Sequence, residues 1–563
     1  MEHKGRLGWS SATTTTAPTT YNAPTGGGSQ SVAAYDQLVA SATGIRMRDV
    51  VVIGAGHNGL VAAALLARAG LSVEVLEQAA VLGGACRTET PFPRAPRLRA
   101  STGAYLLGLM APEVLAALDL DLPLVRRDPH YFLPSLDGRY LLLGSEAVSA
   151  RDQFTRFFTE RDWLANRALG TELAALRNDL APSWLAEPCT VEVTAERYVR
   201  PQLREKFVQL VRGSVIDYLS RFDFASELLV AMYAVTDGMP GLSGSPWRAG
   251  SGHNLLVHNM CRLPGSGGTW MVVPGGMGTV TQAIASCALA AGARIRTGVG
   301  VERIVVDGGM ATGVVSQRGE EVRARAVLVA TDPFRLPALL ASACPYELRS
   351  RIHGYVERSL GQTMKLNLAL AGLPRFAVLP EPRGQHSTTV HLLPEPAADG
   401  SVLTALRAAF DAADDGRLDA LPPIEWYLHS LLDPSLQDEE ERHSSAFFVQ
   451  GVPHTPTGSS WEVEKDRYVE RLLAFAERYA PGLRDLVVDV HALTPPEIES
   501  HFGITHSNIH HIDNAIAFAD RMPYRVGVDG VYAGAAGCHP GGSVIGCAGY
   551  NAASAILTDL GLR

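Results

Sequence analysis

Between Asp49 and Gly84 the apolar positions fall into a strand, a helix and a second strand. Val50–Ile53 is a short unbroken apolar run, the signature of a strand buried on both faces. The Ala/Leu-rich stretch after it is helical and ends at Gly70. Ser72–Leu76 is a second buried strand and delivers Glu77 at its end. The first strand joins the helix through GAGHNG, residues 54–59. A strand, a glycine turn, a helix and a strand in this order form a dinucleotide-binding unit. Gly54 permits the turn, Gly56 lets the backbone approach a pyrophosphate, and Gly59 lets helix and strand pack closely. Asn58 lies at the start of the helix, whose unsatisfied N–H groups point at the phosphates. Glu77 follows about 20 residues later, where a carboxylate accepts from ribose hydroxyls.

Further along, helical patterns dominate 151–240, for example Arg204–Leu219 and Ala225–Val235. Gly275–Gly278 precede a helix that reaches Ala291. A strand–turn–strand over 292–304, a hairpin over 305–316 and a buried strand, Ala326–Ala330, come next. Gln362–Leu370 alternates. Met364, Leu366, Leu368 and Leu370 occupy one face, and Thr363, Lys365 and Asn367 the other. Lys365 is one of only four lysines. It either faces solvent on a half-exposed sheet or faces a cavity that lowers its pKa by desolvation. Near the C-terminus, Gly530–Gly534 is a short strand, 535–543 a glycine-rich turn, and Ser543–Leu557 an alanine-rich helix.

Composition narrows the function. The chain has 563 residues, 46% hydrophobic and 19% charged, which suits a large globular enzyme. A net charge of −9 argues against nucleic acid as the main partner. No apolar run is long enough to span a membrane. Seven scattered cysteines suit a reducing compartment. Residues 1–44 are rich in Ser, Thr, Ala and Gly and predict a disordered tail. These features predict a cytoplasmic protein, with the mitochondrial matrix as the alternative if that tail is a targeting segment. His501, His506, His510, His511 and Asp513 cluster in sequence, but their spacing fits no common closed zinc site, and no metal is expected. The histidines are read instead as loop hydrogen-bonding groups or as part of an active-site wall.

Gly83 and Gly84 follow Glu77 at a spacing typical of FAD-binding members of this fold. Flavin disulphide reductases carry a CxxxxC pair soon afterwards. Here Cys86 stands alone, with Pro91 at the partner's place, so dithiol chemistry is not expected.

With VIGAGHNGLVAAALLARAG, PGGMGTVTQAI, LLDPSL, NIHH and AGAAGCHPGGSVIGCAGYNAA in family order, the chain resembles the phytoene desaturase-like FAD oxidoreductases over about 47–560. Within them it is most similar to the pyridine nucleotide-disulphide oxidoreductase domain-containing protein 2 group. Cys538 stands where threonine is usual, Ser543 replaces a glycine, and Gln437–Glu440 replaces a Pro-Gly turn. The resemblance implies an α/β fold: a Rossmann-type FAD-binding domain, of the two-dinucleotide-binding-domain kind, with an interleaved α+β substrate domain. The FAD domain is expected from 45–110, 265–345 and 520–563, and the substrate or cap domain from 111–264 and 346–519. Strands such as Val299–Ile304 present backbone to the adenine in such proteins, which makes Val301 the candidate. Gly534, Gly541, Gly542, Ser543 and Val544 are expected at the flavin, which is bound non-covalently unless Cys538 attaches it. Lys365 and His511 are the candidate catalytic side chains. The implied activity is hydride transfer between a substrate carbon and flavin N5, desaturating, saturating or isomerising a small hydrophobic substrate. Such a substrate allows peripheral contact with a membrane. Amine oxidation and a flavin-stabilised, non-enzymatic interaction protein are the alternatives. The sequence leaves the oligomeric state open.

Overall fold

The computed structural model describes residues 47–562. The tail predicted over 1–44 lies outside the described residues. Two seven-stranded sheets organise the rest.

The first sheet is built on Arg48–Ile53, whose Val50, Val51 and Val52 have no solvent exposure. That strand pairs in parallel with Val73–Leu76 on one side and with Glu321–Val329 on the other. Arg294–Arg296 and Val531–Ala533 extend the parallel layer at its two ends. Helices Gly278–Ala290 and Cys547–Asp559 both pack on the helix His57–Arg68. Continuous apolar strands are what a sheet covered by such helices requires. Glu321–Val329 also leaves this layer at its start, where Glu321–Arg323 pair antiparallel with the Met310–Ser316 strand. That strand in turn pairs with Val301–Asp307. All seven strands come from 45–110, 265–345 and 520–563.

The second sheet runs in the spatial order 487–493, 363–370, 443–450, 424–428, 389–392, 131–134, 140–143. Its pairs are antiparallel except 389–392 with 131–134. One face, carrying Leu366, Trp426 and Phe447, packs on Leu472 and Phe475 of the helix Trp461–Glu477. The opposite face is buried too. Every residue of Thr363–Leu370 is buried, because segment 92–103 covers the second face: Phe92 and Leu98 pack on Ala369. A solvent-facing Lys365 is therefore excluded.

Two predicted helices shift. Arg204–Leu219 divides at Gly213 into Arg204–Arg212 and Val215–Leu219. The C-terminal helix begins at Cys547, not at Ser543. Gly546 precedes it at φ 78, and Ser543 stands at φ 125, a backbone that cannot start a right-handed helix.

Candidate active site

A cavity of about 920 Å³ runs from the glycine turn of the first sheet to the inner face of the second. At the first sheet it is lined by Gly54, Gly56, Asn58, Glu77, Gly83, Gly84 and Val301. The first hydrogen bond inside the helix is Leu60 N–H to Gly56 O, 3.0 Å, so the amides of His57, Asn58 and Gly59 keep no helical acceptor. A Cβ placed on Gly56 would meet no atom within 4 Å: the turn is hollow where it faces the cavity. The Nε2 of His57 is buried there without a hydrogen-bond partner. Free amide donors, an open cradle and an unpaired ring nitrogen fit the pyrophosphate of FAD.

Glu77 serves the same end of the cavity. One carboxylate oxygen accepts from Ala55 N–H at 2.7 Å and the other from Ala79 N–H at 2.8 Å. The side chain is thereby fixed while each oxygen keeps further acceptor capacity for ribose hydroxyls. Glu77→Ala is expected to weaken FAD binding by roughly 1–3 kcal/mol, the cost of charge-assisted hydrogen bonds. Titration of the apoprotein with FAD measures it, and unchanged affinity would remove Glu77 from the site.

The C-terminal residues divide into two groups. Ser543 and Val544 line the cavity; Gly534, Gly541 and Gly542 do not. These three glycines serve packing instead. A Cβ on Gly542 would fall 2.2 Å from the Cβ of His510, and one on Gly534 would fall 2.7 Å from that of Ala552. The Gly542 N–H donates to Asn514 Oδ1 at 2.9 Å. Gly59 likewise packs against backbone and does not line the cavity. Cys538 is a buried free thiol, pushed up to about 12 by burial, and it too lies off the cavity wall.

Lys365 reaches the cavity from the strand next to the edge of the second sheet and is 3% exposed. Its Nζ donates to Gly103 O at 2.7 Å and Ser101 O at 3.1 Å, and lies 4.4 Å from the centre of the Tyr105 ring. Burial pulls its pKa from 10.5 to about 7. His511 also lines the cavity, with φ 65 and a buried Nδ1 that has no partner. Burial lowers its pKa, with Asp332 opposing the shift and Arg521 and Arg335 adding to it. Of the other clustered histidines, His501 and His510 also line the cavity, and His506 does not. His501 meets Glu89 at 2.9 Å and His506 packs on Phe334, while His510 lies behind Gly542. Among the described residues no group of three or more His, Cys, Asp or Glu could hold a metal ion.

The sheet sets further groups beside Lys365 that sequence reasoning missed. Lys365 pairs with Phe448, Phe448 with Glu425, and Glu425 with His391, so the four form one row on one face. Glu425 accepts from Tyr427 and Gln450, and burial raises its pKa to about 8. Tyr427 packs on Tyr105 with ring centres 4.5 Å apart. Tyr131 donates to Asp237 at 3.0 Å, and burial raises Asp237 to about 6. Arg127 is buried at the same end. An acid inside the apolar run IEWYL, residues 424–428, was the one local signal available.

Comparison with known proteins accounts for this geometry. Residues 59–383 match the family model of flavin-containing amine oxidoreductases. The mouse pyridine nucleotide-disulfide oxidoreductase domain-containing protein 2 is 34% identical, over 91% of this chain and 94% of its own. The zeta-carotene-forming phytoene desaturase of Myxococcus xanthus is 26% identical, over 81% of this chain and 83% of its own. In fold, the chain is similar to an oxidoreductase from Methanosarcina mazei, at TM-score 0.60 and 17% identity, covering 91% of this chain and all of that one. With the family model spanning more than half its length, the chain belongs to the flavin-containing amine oxidoreductases and is an FAD-dependent oxidoreductase.

Proposed function

We propose that this enzyme moves hydride between a carbon of a hydrophobic substrate and FAD, and so desaturates, saturates or isomerises that substrate. Bound FAD supplies the hydride acceptor or donor; the chain supplies orientation and electrostatics. The observation that carries the reading is the place of Lys365, a desolvated amine inside the same cavity as the dinucleotide turn. Beside it, Leu106, Trp270, Phe448 and Ile509 make apolar walls suited to a hydrocarbon body. Kinship with a phytoene desaturase supports the same substrate class. In this reading Lys365 places positive charge where electrons accumulate, and His511 accepts or returns a proton at its unpaired Nδ1.

Amine oxidation is the second reading, favoured by the family match and by Asp237, which could draw a cationic substrate. Anaerobic mixing of the FAD-loaded protein with polyenes, saturated analogues, amines and NAD(P)H separates the two. The expected result is loss of the oxidised-flavin absorbance with an apolar carbon substrate and none with amines. Amine-dependent bleaching, with peroxide on admission of air, would establish the second reading instead.

A further inference from the structure

We infer that the deep end of the cavity is a carboxylate site, and that the substrate is an amphipathic organic acid gripped by Arg127 with its apolar body running back towards Lys365. The inference rests on the reading above for the chemistry, but not for the binding.

Arg127 is 2% exposed and lines the cavity. Its Nε donates to Trp270 O at 3.0 Å and its Nη1 to Thr389 Oγ1 at 2.8 Å. A guanidinium carries five N–H donors and cannot shed its charge, so most of its donors remain available. Its Nη2 donates to no group among the described residues, and no carboxylate forms an ion pair with it. A buried cation without a counter-ion is costly, and its planar fork matches the two oxygens of a carboxylate.

Neither neighbouring acid forms an ion pair with it. Asp237 accepts the Tyr131 hydroxyl at 3.0 Å, and Glu425 is occupied by Tyr427 and Gln450. Burial holds Glu425 protonated near neutral pH. Burial also keeps His130, His258, His391 and His429 neutral, so they add no charge of either sign. Lys365, at the other end of the chamber, turns two of its donors to backbone carbonyls. Asp237, raised only to about 6, keeps a negative charge at this end near neutral pH. Among the described residues, however, no carboxylate lies within ion-pairing distance of the Arg127 guanidinium, whose free donors face the cavity.

Position supports the same ligand. Neighbouring strands lie about 4.8 Å apart, so Lys365 and Glu425, two strands apart, are separated by roughly 10 Å. Thr389, which holds Arg127, lies on the next strand over. A head group at Arg127 thus leaves space for an apolar segment along Tyr105 and Phe448 before Lys365 is reached. A cationic head group placed against the Arg127 donors would face like charge and find no acceptor on the guanidinium.

The test measures binding, not turnover. The FAD-loaded protein is titrated calorimetrically with decanoate, decanol and decylamine. Decanoate is expected to bind at least about tenfold tighter than decanol, as a bidentate charged pair implies, with decylamine weakest. Arg127→Met is expected to bring decanoate to the level of decanol, and Arg127→Lys to retain part of the preference. Equal binding of decanoate and decanol by the wild-type protein, or tighter binding of decylamine, overturns the inference whether or not the Met variant folds. A preference that survives in Arg127→Met overturns it as well. Failure of the hydride reading would look different: decanoate bound in preference, yet no unsaturated or saturated acid exchanging electrons with the flavin.

Discussion

Gly59→Ala is expected to destabilise the chain with or without FAD, whereas Gly56→Ala should fold normally and bind FAD more weakly. The two glycines stand three residues apart in one turn, and their surroundings differ completely. A Cβ on Gly59 would fall 2.2 Å from the backbone oxygen of Gly54 and 2.9 Å from the Ala330 Cβ. Backbone cannot swing aside as a side-chain tip can, so the helix must lift from the strand. Overpacking of this kind costs roughly 1–3 kcal/mol and opens the turn that frames the cavity. A Cβ on Gly56 meets nothing within 4 Å, and the empty chain accepts it. It occupies the space where the pyrophosphate would approach the helix. A comparable clash there, against the ligand, weakens FAD about tenfold to a hundredfold. Thermal unfolding of both apoproteins and FAD titration of both variants give the four values needed. A stable Gly59→Ala apoprotein, or a Gly56→Ala chain with native FAD affinity, would refute the division of roles.

The same turn shows why part of the fold was readable in the sequence. Gly54, Gly56, Gly59 and Glu77 act within one local unit, so their spacing along the chain is their spacing in space. Lys365 was half legible. Alternation separated it from Leu366, but its burial depends on segment 92–103, which lies far away in sequence. Arg127, Asp237 and Glu425 reach one end of the cavity from three distant segments, and no local pattern connects them. The start of the last helix was misplaced for another reason. Alanine content speaks for helix throughout 543–557, yet the left-handed Gly546 and the positive φ of Ser543 delay it to Cys547. Gly541 and Gly542 looked like a cofactor cradle because a glycine needed for close backbone packing reads the same as one needed for a ligand.

Lys365→Met is expected to keep the fold and FAD while slowing flavin reduction or reoxidation at least about tenfold, since a lost charge interaction in a dry site is worth roughly 1.4 kcal/mol or more. Methionine retains most of the apolar stem and removes the ammonium beside Tyr105. The pH dependence identifies the group. With its pKa drawn from 10.5 to about 7 by burial, Lys365 loses its proton across neutrality. If the charged form assists hydride transfer, the wild-type rate falls as pH rises through about 7, and the variant lacks that limb. Stability carries a second signature of opposite sense. The folded state disfavours the ammonium, so the unfolded chain binds the extra proton between about 7 and 10.5 and wild-type stability rises with pH across that window. Methionine has no such slope, and its stability relative to wild type is greatest below the lower value. Stopped-flow traces of both half-reactions, together with denaturant titrations at three pH values, read the two signatures. Wild-type rates with an unchanged pH profile in the variant would leave Lys365 as a tie between the second sheet and the carbonyls of Ser101 and Gly103. A lost stability slope without a lost rate limb would show that the lysine is desolvated but stands apart from the electron path.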